Sequence, residues 1–258
     1  MLIRIEDKKD LIDTYNLKKI ANGKDGILYL YENIIIKISL SGEMTLEKLE
    51  DFRKAKEKSF NNEEDFLKSR IIIPEKIVFN PKEKIKKMKV TPLFGYTQRY
   101  FLVKKEIESM DRNLLIQELS SLREETHKLL TNNKIAIMDT NPQNIIISND
   151  NKLLLIDHDR DITDNCMEIE KERSIYKHDY YKHNEKRLSQ LYGKLFIYKL
   201  YNSLNLKNRA IYEEYEKLYN YMGSLDIDKL FNSISNYNNI NEFKEEKEKE
   251  ITKKKKAR

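Results

Sequence analysis

The sequence predicts an α+β fold in which a strand-rich block is followed by a mostly helical block. Five short β-prone runs, separated by turn residues, occupy the first hundred positions, at residues 17–21, 27–31, 34–38, 76–80 and 95–101. Between the third and fourth runs, residues 44–60 are highly charged but carry apolar side chains at helical spacing. We therefore expect an antiparallel five-stranded sheet accompanied by one main helix.

The pattern becomes helical after residue 102. Asp111 is placed to cap a helix over residues 113–131, where leucines recur at helical spacing. Two brief apolar runs then flank the turn signature Asn149-Asp150-Asn151, and they predict a pair of short strands. Further helices are predicted over residues 185–204, 209–222 and 227–235.

Composition and charge patterning divide the 258 residues into three expected segments. They are a strand-rich lobe over residues 1–101, a helical lobe over residues 102–243, and a charged, disordered tail over residues 244–258. The formal net charge is +6, and much of it lies in the lysines and the arginine of that tail. The body is then close to neutral, so nucleic-acid binding is not favoured.

The single cysteine, Cys166, excludes an intramolecular disulfide and a cysteine-cluster metal site, and it fits a reducing compartment. The first ten residues mix charges and contain no apolar signal region. The longest apolar runs have the length of strands and are too short to cross a bilayer. We expect a cytoplasmic protein without a membrane partner.

Two local patterns in the strand-rich block point to phosphate chemistry. Gly23 and Gly26 lie in a turn between two β-prone runs, where small residues let backbone N–H groups approach phosphate oxygens; an ordinary turn has the same spacing. Lys37 lies inside the apolar run at residues 34–38. A buried ammonium needs an anion, although a lysine on the solvent face of an edge strand does not.

Two further patterns surround the predicted pair of short strands. Asp139 and Asn144 lie five residues apart, on either side of Pro142, and immediately precede the first strand. Asp139 could accept a proton or orient a hydroxyl, and the Asn144 carbonyl oxygen could bind a divalent cation. Asp157 follows the second strand, in a position typical of a metal ligand. The alternatives are an Asx-rich turn for the first pattern and a capping or turn residue for Asp157.

The order of these patterns is more specific than any one of them. A glycine-containing hairpin, a strand lysine, D-x-x-P-x-N, two strands and D-x-D follow the kinase order. On these residues, across positions 15–165, the chain resembles the protein-kinase-like superfamily, which includes protein kinases and the aminoglycoside and choline phosphotransferases. It resembles a divergent member of bacterial or phage type. The resemblance implies a two-lobed fold, with a five-stranded antiparallel N-lobe and a mostly helical C-lobe.

The resemblance also implies a role for each matching residue in the nucleotide site. Gly23 and Gly26 match glycines of the loop that covers the phosphates, and Lys37 matches the lysine that binds the α- and β-phosphates. Its partner would be a glutamate of the helix at residues 44–60, with Glu50 as the first choice and Glu47 as the second. The hinge that binds adenine through its backbone would contain Tyr100, Phe101 and Val103.

The catalytic residues are implied in the same way. Asp139 matches the catalytic base, and Asn144 and Asp157 match the metal ligands. The implied ligands are ATP with Mg²⁺, for which Mn²⁺ could substitute, and an unidentified acceptor that carries a hydroxyl group. The implied activity is transfer of the γ-phosphoryl group, with a preference for serine or threonine on a protein. The alternatives are a small-molecule kinase of aminoglycoside or choline type, and a pseudokinase that serves as a binding module.

Departures from the family pattern keep those alternatives open. Ile137-Met138 replaces the His-Arg pair that precedes the catalytic aspartate of protein kinases. Asn141 stands where Ser/Thr kinases carry a lysine and many small-molecule phosphotransferases carry a histidine. The family's Asp-Phe-Gly reads Asp157-His158-Asp159 here, and no Ala-Pro-Glu motif follows. An activation segment of protein-kinase type is therefore not visible in the sequence.

Overall fold

The computed structural model describes residues 17–22, 26–32, 34–39, 43–79, 95–99, 110–163, 179–202 and 210–256. These residues form a mixed α+β structure of helices and small antiparallel sheets, which confirms the predicted fold class at that level.

The larger sheet has five antiparallel strands in the order β1-β2-β3-β5-β4. The strands are β1 Lys18–Asn22, β2 Gly26–Tyr31, β3 Ile34–Ser39, β4 Pro74–Phe79 and β5 Gly95–Arg99. Strand β3 is central, and its Ile35, Ile36 and Ile38 are at most 2% exposed. Lys37 of the same strand faces Leu28 on one side and Tyr96 on the other. It does not lie on an edge strand, so that alternative for Lys37 is wrong.

Helix α1, Leu46–Ser59, is the main helix beside this sheet, and a single-turn helix α2, Glu63–Leu67, follows it. The Thr45 side chain caps α1 by accepting a hydrogen bond from the Lys48 amide at 3.2 Å. The buried face of α1 carries Lys48, Leu49, Phe52 and Ala55, and it packs against β4. Leu49, Phe52 and Ala55 have the helical spacing that the sequence predicts, whereas the apolar Leu46 is exposed and Lys48 is buried in addition.

The helical part begins with α3, Arg112–Leu129, which confirms the predicted cap at Asp111. The Asp111 carboxylate accepts hydrogen bonds from the amides of Asn113 at 2.8 Å and Leu114 at 3.1 Å. The leucines of α3 enter the core that the later helices complete. These helices are α4 Tyr180–Asn202, α5 Ala210–Met222, α6 Ile227–Asn236 and α7 Ile240–Lys256.

Two short strand pairs lie between α3 and α4. They are β6 Ile135–Ala136 with β9 Ile162–Thr163, and β7 Ile145–Ile147 with β8 Leu153–Leu155. The β7–β8 hairpin turns at Asn149-Asp150-Asn151, where Asn151 has a φ of 60°, a conformation that asparagine tolerates. The hairpin is the one that the turn signature predicts, and it places the segments before β7 and after β8 side by side.

The end of the chain differs from expectation. The sequence predicts a disordered tail from residue 244, whereas residues 240–256 form α7. Phe243 is fully buried, and the Lys247 ammonium donates to the Tyr221 hydroxyl at 2.6 Å and pairs with Glu250 at 2.9 Å. The apolar anchor and these polar contacts order a segment whose charge density alone suggested disorder. None of the described helices is long and apolar enough to span a bilayer.

A single buried cluster unites the two blocks. Phe52 and Phe66 of the first block belong to the same hydrophobic core as Leu119, Leu191 and Leu230 of the second. The segment between α2 and β4 runs beside β8, where the Leu155 amide donates to the Arg70 carbonyl at 2.8 Å and the Ile72 amide donates to the Leu155 carbonyl at 2.9 Å. Core and backbone contacts thus fix α1, α2 and the segment before β4 against the β7–β8 hairpin.

Arg70 reinforces this junction through two glutamates of α3. Its guanidinium donates to both carboxylate oxygens of Glu118, at 3.0 and 3.2 Å, and to Glu125 at 2.7 Å. Glu118 also accepts the Leu153 amide at 3.1 Å. The three side chains are between 10 and 23% exposed, so removing the cation leaves two poorly solvated carboxylates.

We expect Arg70→Met to lower the free energy of unfolding by about 3 kcal/mol, because it removes one partner of a mostly buried ion cluster. Urea denaturation followed by circular dichroism measures the change. The control is Lys68→Met, which breaks the exposed Lys68–Glu64 pair and should leave the midpoint nearly unchanged. Equal midpoints for the two variants would contradict a role for Arg70 in joining the blocks.

Candidate active site

Lys37 is the centre of the candidate site. Its side chain is 8% exposed, and its ammonium lies 2.6 Å from Oδ1 of Asp157 and 3.0 Å from Oδ2 of Asp159. Asp159 is 2% exposed, so this carboxylate and the ammonium neutralise each other away from water. Burial acts to lower the pKa of Lys37, but the negative charges of Asp159 and Asp157 outweigh it and raise that pKa. Lys37 is therefore a charged cation in this arrangement.

Gly26 lies beside Lys37, where β2 pairs with β3. A Cβ atom at position 26 would lie 2.9 Å from the Ile38 carbonyl oxygen and 3.1 Å from Cε of Lys37. Glycine is thus required for the close approach of β2 to the stem of Lys37. Gly23, the other predicted glycine of this turn, lies outside the described residues, as do Tyr100, Phe101 and Val103 of the predicted hinge.

The β7–β8 hairpin brings Asn144 next to the segment that contains Asp157. The Ile156 amide donates to the Asn144 carbonyl at 2.9 Å, directly beyond the paired residues Ile145 and Leu155. Asp157 then adopts a φ of 64°, in the left-handed region that aspartate tolerates better than most residues. This turn directs the chain from β8 towards Lys37, and such strained positions are frequent at functional sites.

Asp139 is half-buried at the start of the loop that leads to Asn144. Its Oδ1 accepts the Asn141 amide at 2.9 Å, and Oδ1 of Asn141 accepts the Gln143 amide at 3.0 Å. The loop is therefore built from Asx turns, as one of the two interpretations of this sequence proposed. The turns lead into a 3₁₀ turn, Pro142–Asn144, that ends at the buried Asn144. An Asx-turn structure and a role in chemistry are compatible here.

Two residues that sequence reasoning missed fix this loop. Oδ1 of the buried Asp161 accepts the Met138 amide at 3.0 Å, and its Oδ2 lies 2.7 Å from Nδ1 of His158. Asn184 of α4 is fully buried, and its Oδ1 accepts the Ile137 amide at 2.9 Å. The spacing of Asp157, Asp159 and Asp161 was a usable signal, whereas nothing local distinguishes Asn184.

The predicted helix partner of Lys37 is wrong in its first choice, Glu50. The Glu50 carboxylate is 44% exposed and binds Arg53 of the same helix at 2.6 and 2.9 Å. The buried face of α1 instead presents Lys48, whose ammonium donates to the carbonyls of Asp159 at 2.8 Å and Glu43 at 2.9 Å. The rotation of α1, set by Leu49, Phe52 and Ala55, places position 50 towards solvent. Glu47, the second choice, is half-buried.

The oxygen atoms at the site are of the type that Mg²⁺ prefers. Carboxylates of Asp157 and Asp159 and the amide of Asn144 are hard ligands that lie on neighbouring segments. The Asn144 Nδ2 atom is buried and has no hydrogen-bond partner within the described structure. That same part of the chain has no group of three His, Cys, Asp or Glu side chains arranged to hold a metal. Mg²⁺ in proteins is commonly held by one or two carboxylates together with substrate phosphates and waters.

Comparisons with known proteins give little further guidance. No protein-family model matches the chain, and no curated protein matches its sequence significantly. Among solved structures, the kinase Lpg2603 of Legionella pneumophila, determined bound to IP6, is similar at 15% identity and a TM-score of 0.43. The match covers 70% of this chain and 59% of that protein, so the chain spans about three fifths of its length.

We expect Asp161→Ala to destabilise the protein by about 3 kcal/mol, because it leaves the Met138 amide and the buried His158 ring without their acceptor. Thermal and urea unfolding measure the loss. Asp228→Ala, at an 84% exposed aspartate, serves as the control and should cost far less. A similar loss in both variants would show that Asp161 does not fix the loop.

Proposed function

We propose that this chain is an ATP-dependent phosphotransferase that moves the γ-phosphoryl group of MgATP to a hydroxyl acceptor. The observation that carries the proposal is the convergence of Lys37, Asp157 and Asn144. Lys37 lies on the central strand β3, Asp157 in the segment after β8 and Asn144 in the loop before β7. The Lys37 ammonium pairs with Asp157, and the amide of the neighbouring Ile156 donates to the Asn144 carbonyl. Asp139 begins the same loop. A cation, oxygen ligands and a potential base are the groups that phosphoryl transfer requires.

Lys37 would bind the α- and β-phosphates. Its raised pKa keeps the ammonium charged, and phosphate oxygens would take over part of the neutralisation that Asp157 and Asp159 now provide. Asp157 and Asn144 would hold Mg²⁺, with Asp159 as a further carboxylate at the same place. The ion, when bound with the nucleotide, neutralises charge on the phosphate oxygens. Gly26, and Gly23 three residues before it in the sequence, would allow the backbone to approach these phosphates.

Asp139 would act on the acceptor. The acceptor oxygen attacks the γ-phosphorus, the bond from that phosphorus to the bridging oxygen of ADP breaks, and Asp139 takes the proton of the hydroxyl. Because the Asn141 amide already binds Oδ1 of Asp139, the carboxylate is oriented before substrate arrives. The protein's contribution is then positioning and charge, with no covalent intermediate.

The remaining assignments complete a two-lobed organisation. Residues 1–101 would form the nucleotide-binding lobe and residues 102–243 the lobe that carries the catalytic loop. Tyr100, Phe101 and Val103 would be the hinge that binds adenine. Serine or threonine on a protein is the first acceptor class to test, and aminoglycosides and amino alcohols are the second.

One observation favours a second candidate function, that of a pseudokinase. Both aspartates that would serve the metal are paired with Lys37, and Lys48 fixes the Asp159 carbonyl. If this pairing persists in the presence of nucleotide, the chain would serve as a binding module without turnover.

The first test is a thermal-shift titration with ATP, with and without Mg²⁺. We expect saturating MgATP to raise the melting temperature of the wild type by about 5 °C, because the ligand binds only the native state. Asp157→Ala should abolish the magnesium-dependent part of the shift. The matched control is Asp150→Ala, at an aspartate in the turn of the same hairpin that is 57% exposed, and it should behave as the wild type. A wild type without any shift would refute nucleotide binding.

The second test separates binding from chemistry. We expect Asp139→Asn to retain MgATP binding and to lose phosphotransfer by on the order of 10³-fold, because the amide cannot take the acceptor proton. Transfer of labelled phosphate to a protein mixture and to a panel of aminoglycosides and amino alcohols measures turnover and identifies the acceptor class. Binding by the wild type with no transfer to any acceptor and no ATP hydrolysis would favour the pseudokinase.

A further inference from the structure

Lys194 of helix α4 lies against the loop that begins with Asp139. Its ammonium donates to Oγ1 of Thr140 at 2.7 Å, and Thr140 directly follows Asp139 in the chain. The ammonium also lies over the Tyr219 ring, 4.7 Å from the centroid. Thr140 is 8% exposed and Lys194 is half-buried. The bond between them holds the ammonium of Lys194 at the residue next to Asp139, the proposed base.

The charge of Lys194 is less well neutralised than that of Lys37. A hydroxyl and an aromatic ring contact its ammonium, and neither carries a formal charge. Burial lowers the pKa of Lys194, the Asp139 carboxylate acts against that, and Arg187 acts with it. Lys37, in contrast, is paired with two carboxylates. Lys194 is therefore a partly desolvated cation that an additional anion would stabilise.

The loop itself brings no other cation to this place. Asn141, two residues after Asp139, is exposed and uses its side-chain oxygen to accept the Gln143 amide. A phosphoryl group approaching Asp139 would meet the negative charge of that carboxylate, so a neighbouring cation is needed to offset the repulsion. The ammonium of Lys194 is near enough to the Asp139 carboxylate for that negative charge to act on its pKa.

We propose that Lys194 binds the γ-phosphate of the nucleotide beside Asp139 and stabilises the phosphoryl group during transfer. The proposal rests on the proposed function, since it names a further binding residue of that same site. An ammonium has three N–H donors, so Lys194 can keep its bond to Thr140 and donate to a phosphate oxygen as well. The oxygens of the transferred group share the negative charge in the transition state, where a fixed cation is most effective.

The test compares the affinities of MgATP and MgADP, because the two nucleotides differ in the γ-phosphate. Isothermal titration calorimetry is run on the wild type, Lys194→Met and Lys182→Met. Lys182 lies on the same helix, its side chain is 85% exposed, and it is the matched control. We expect Lys194→Met to weaken MgATP binding about 10-fold and to leave MgADP binding unchanged, as the loss of one charge-assisted hydrogen bond predicts. Lys182→Met should match the wild type with both nucleotides.

Lys194→Gln provides a second variant in case the methionine disturbs packing against Tyr219. The amide can still donate to Thr140, but it lacks the charge, so the same selective loss of MgATP affinity is expected. Unchanged affinity for both nucleotides, or equal losses for both, would overturn the role of Lys194 while leaving the proposed function intact. A wild type that binds neither nucleotide would instead refute the proposed function, and the inference with it.

Discussion

The ion cluster of Lys37, Asp157 and Asp159 is the interaction on which the arrangement of the site depends; Lys37 and Asp159 are buried in it, and the Asp157 side chain is 36% exposed. Lys37 and Asp157 are 120 residues apart in sequence, yet their charged atoms are 2.6 Å apart. Desolvating each ion costs several kcal/mol, so neither strand β3 nor the segment after β8 could bury its charge alone. Mutual neutralisation makes the two positions interdependent, and it thereby holds the five-stranded sheet against the β7–β8 hairpin.

Contacts around the cluster connect the segment at residues 157–161 to the loop that begins with Asp139. Lys48 binds the Asp159 carbonyl, and Asp161, two residues on, accepts the Met138 amide next to Asp139. The Asn144 carbonyl accepts the Ile156 amide, so the end of the Asp139 loop also contacts the segment that contains Asp157. A displacement of residues 157–161 would therefore move the loop of Asp139 as well. Under the proposed function, this coupling would keep the nucleotide-binding and acceptor-binding groups in a fixed geometry, which phosphoryl transfer needs more than it needs reactive side chains.

Local patterns in the sequence were sufficient where local forces decide the structure. The cap at Asp111, the hairpin at Asn149-Asp150-Asn151 and the strand that contains Lys37 follow from side-chain chemistry and spacing. The choice of Glu50 failed because the rotation of α1 depends on which face packs against β4, and charge spacing does not encode that. Asn184 and Lys194 were missed because they approach the loop from a helix more than forty residues away, and no short motif marks them.

Lys48, on the buried face of α1, adds a positive charge beside the cluster. The Lys37 ammonium pairs with the carboxylates of both Asp157 and Asp159, whereas the Lys48 ammonium binds the backbone carbonyl of Asp159. Under the proposed function, Lys37 can turn to the phosphates only as another cation takes over Asp157 and Asp159. Binding of the metal and binding of the phosphates would then favour each other, and by linkage the coupling must be equal in both directions. A site of this kind discriminates against nucleotide without Mg²⁺, because the phosphates alone would have to compete with two fixed carboxylates for one ammonium.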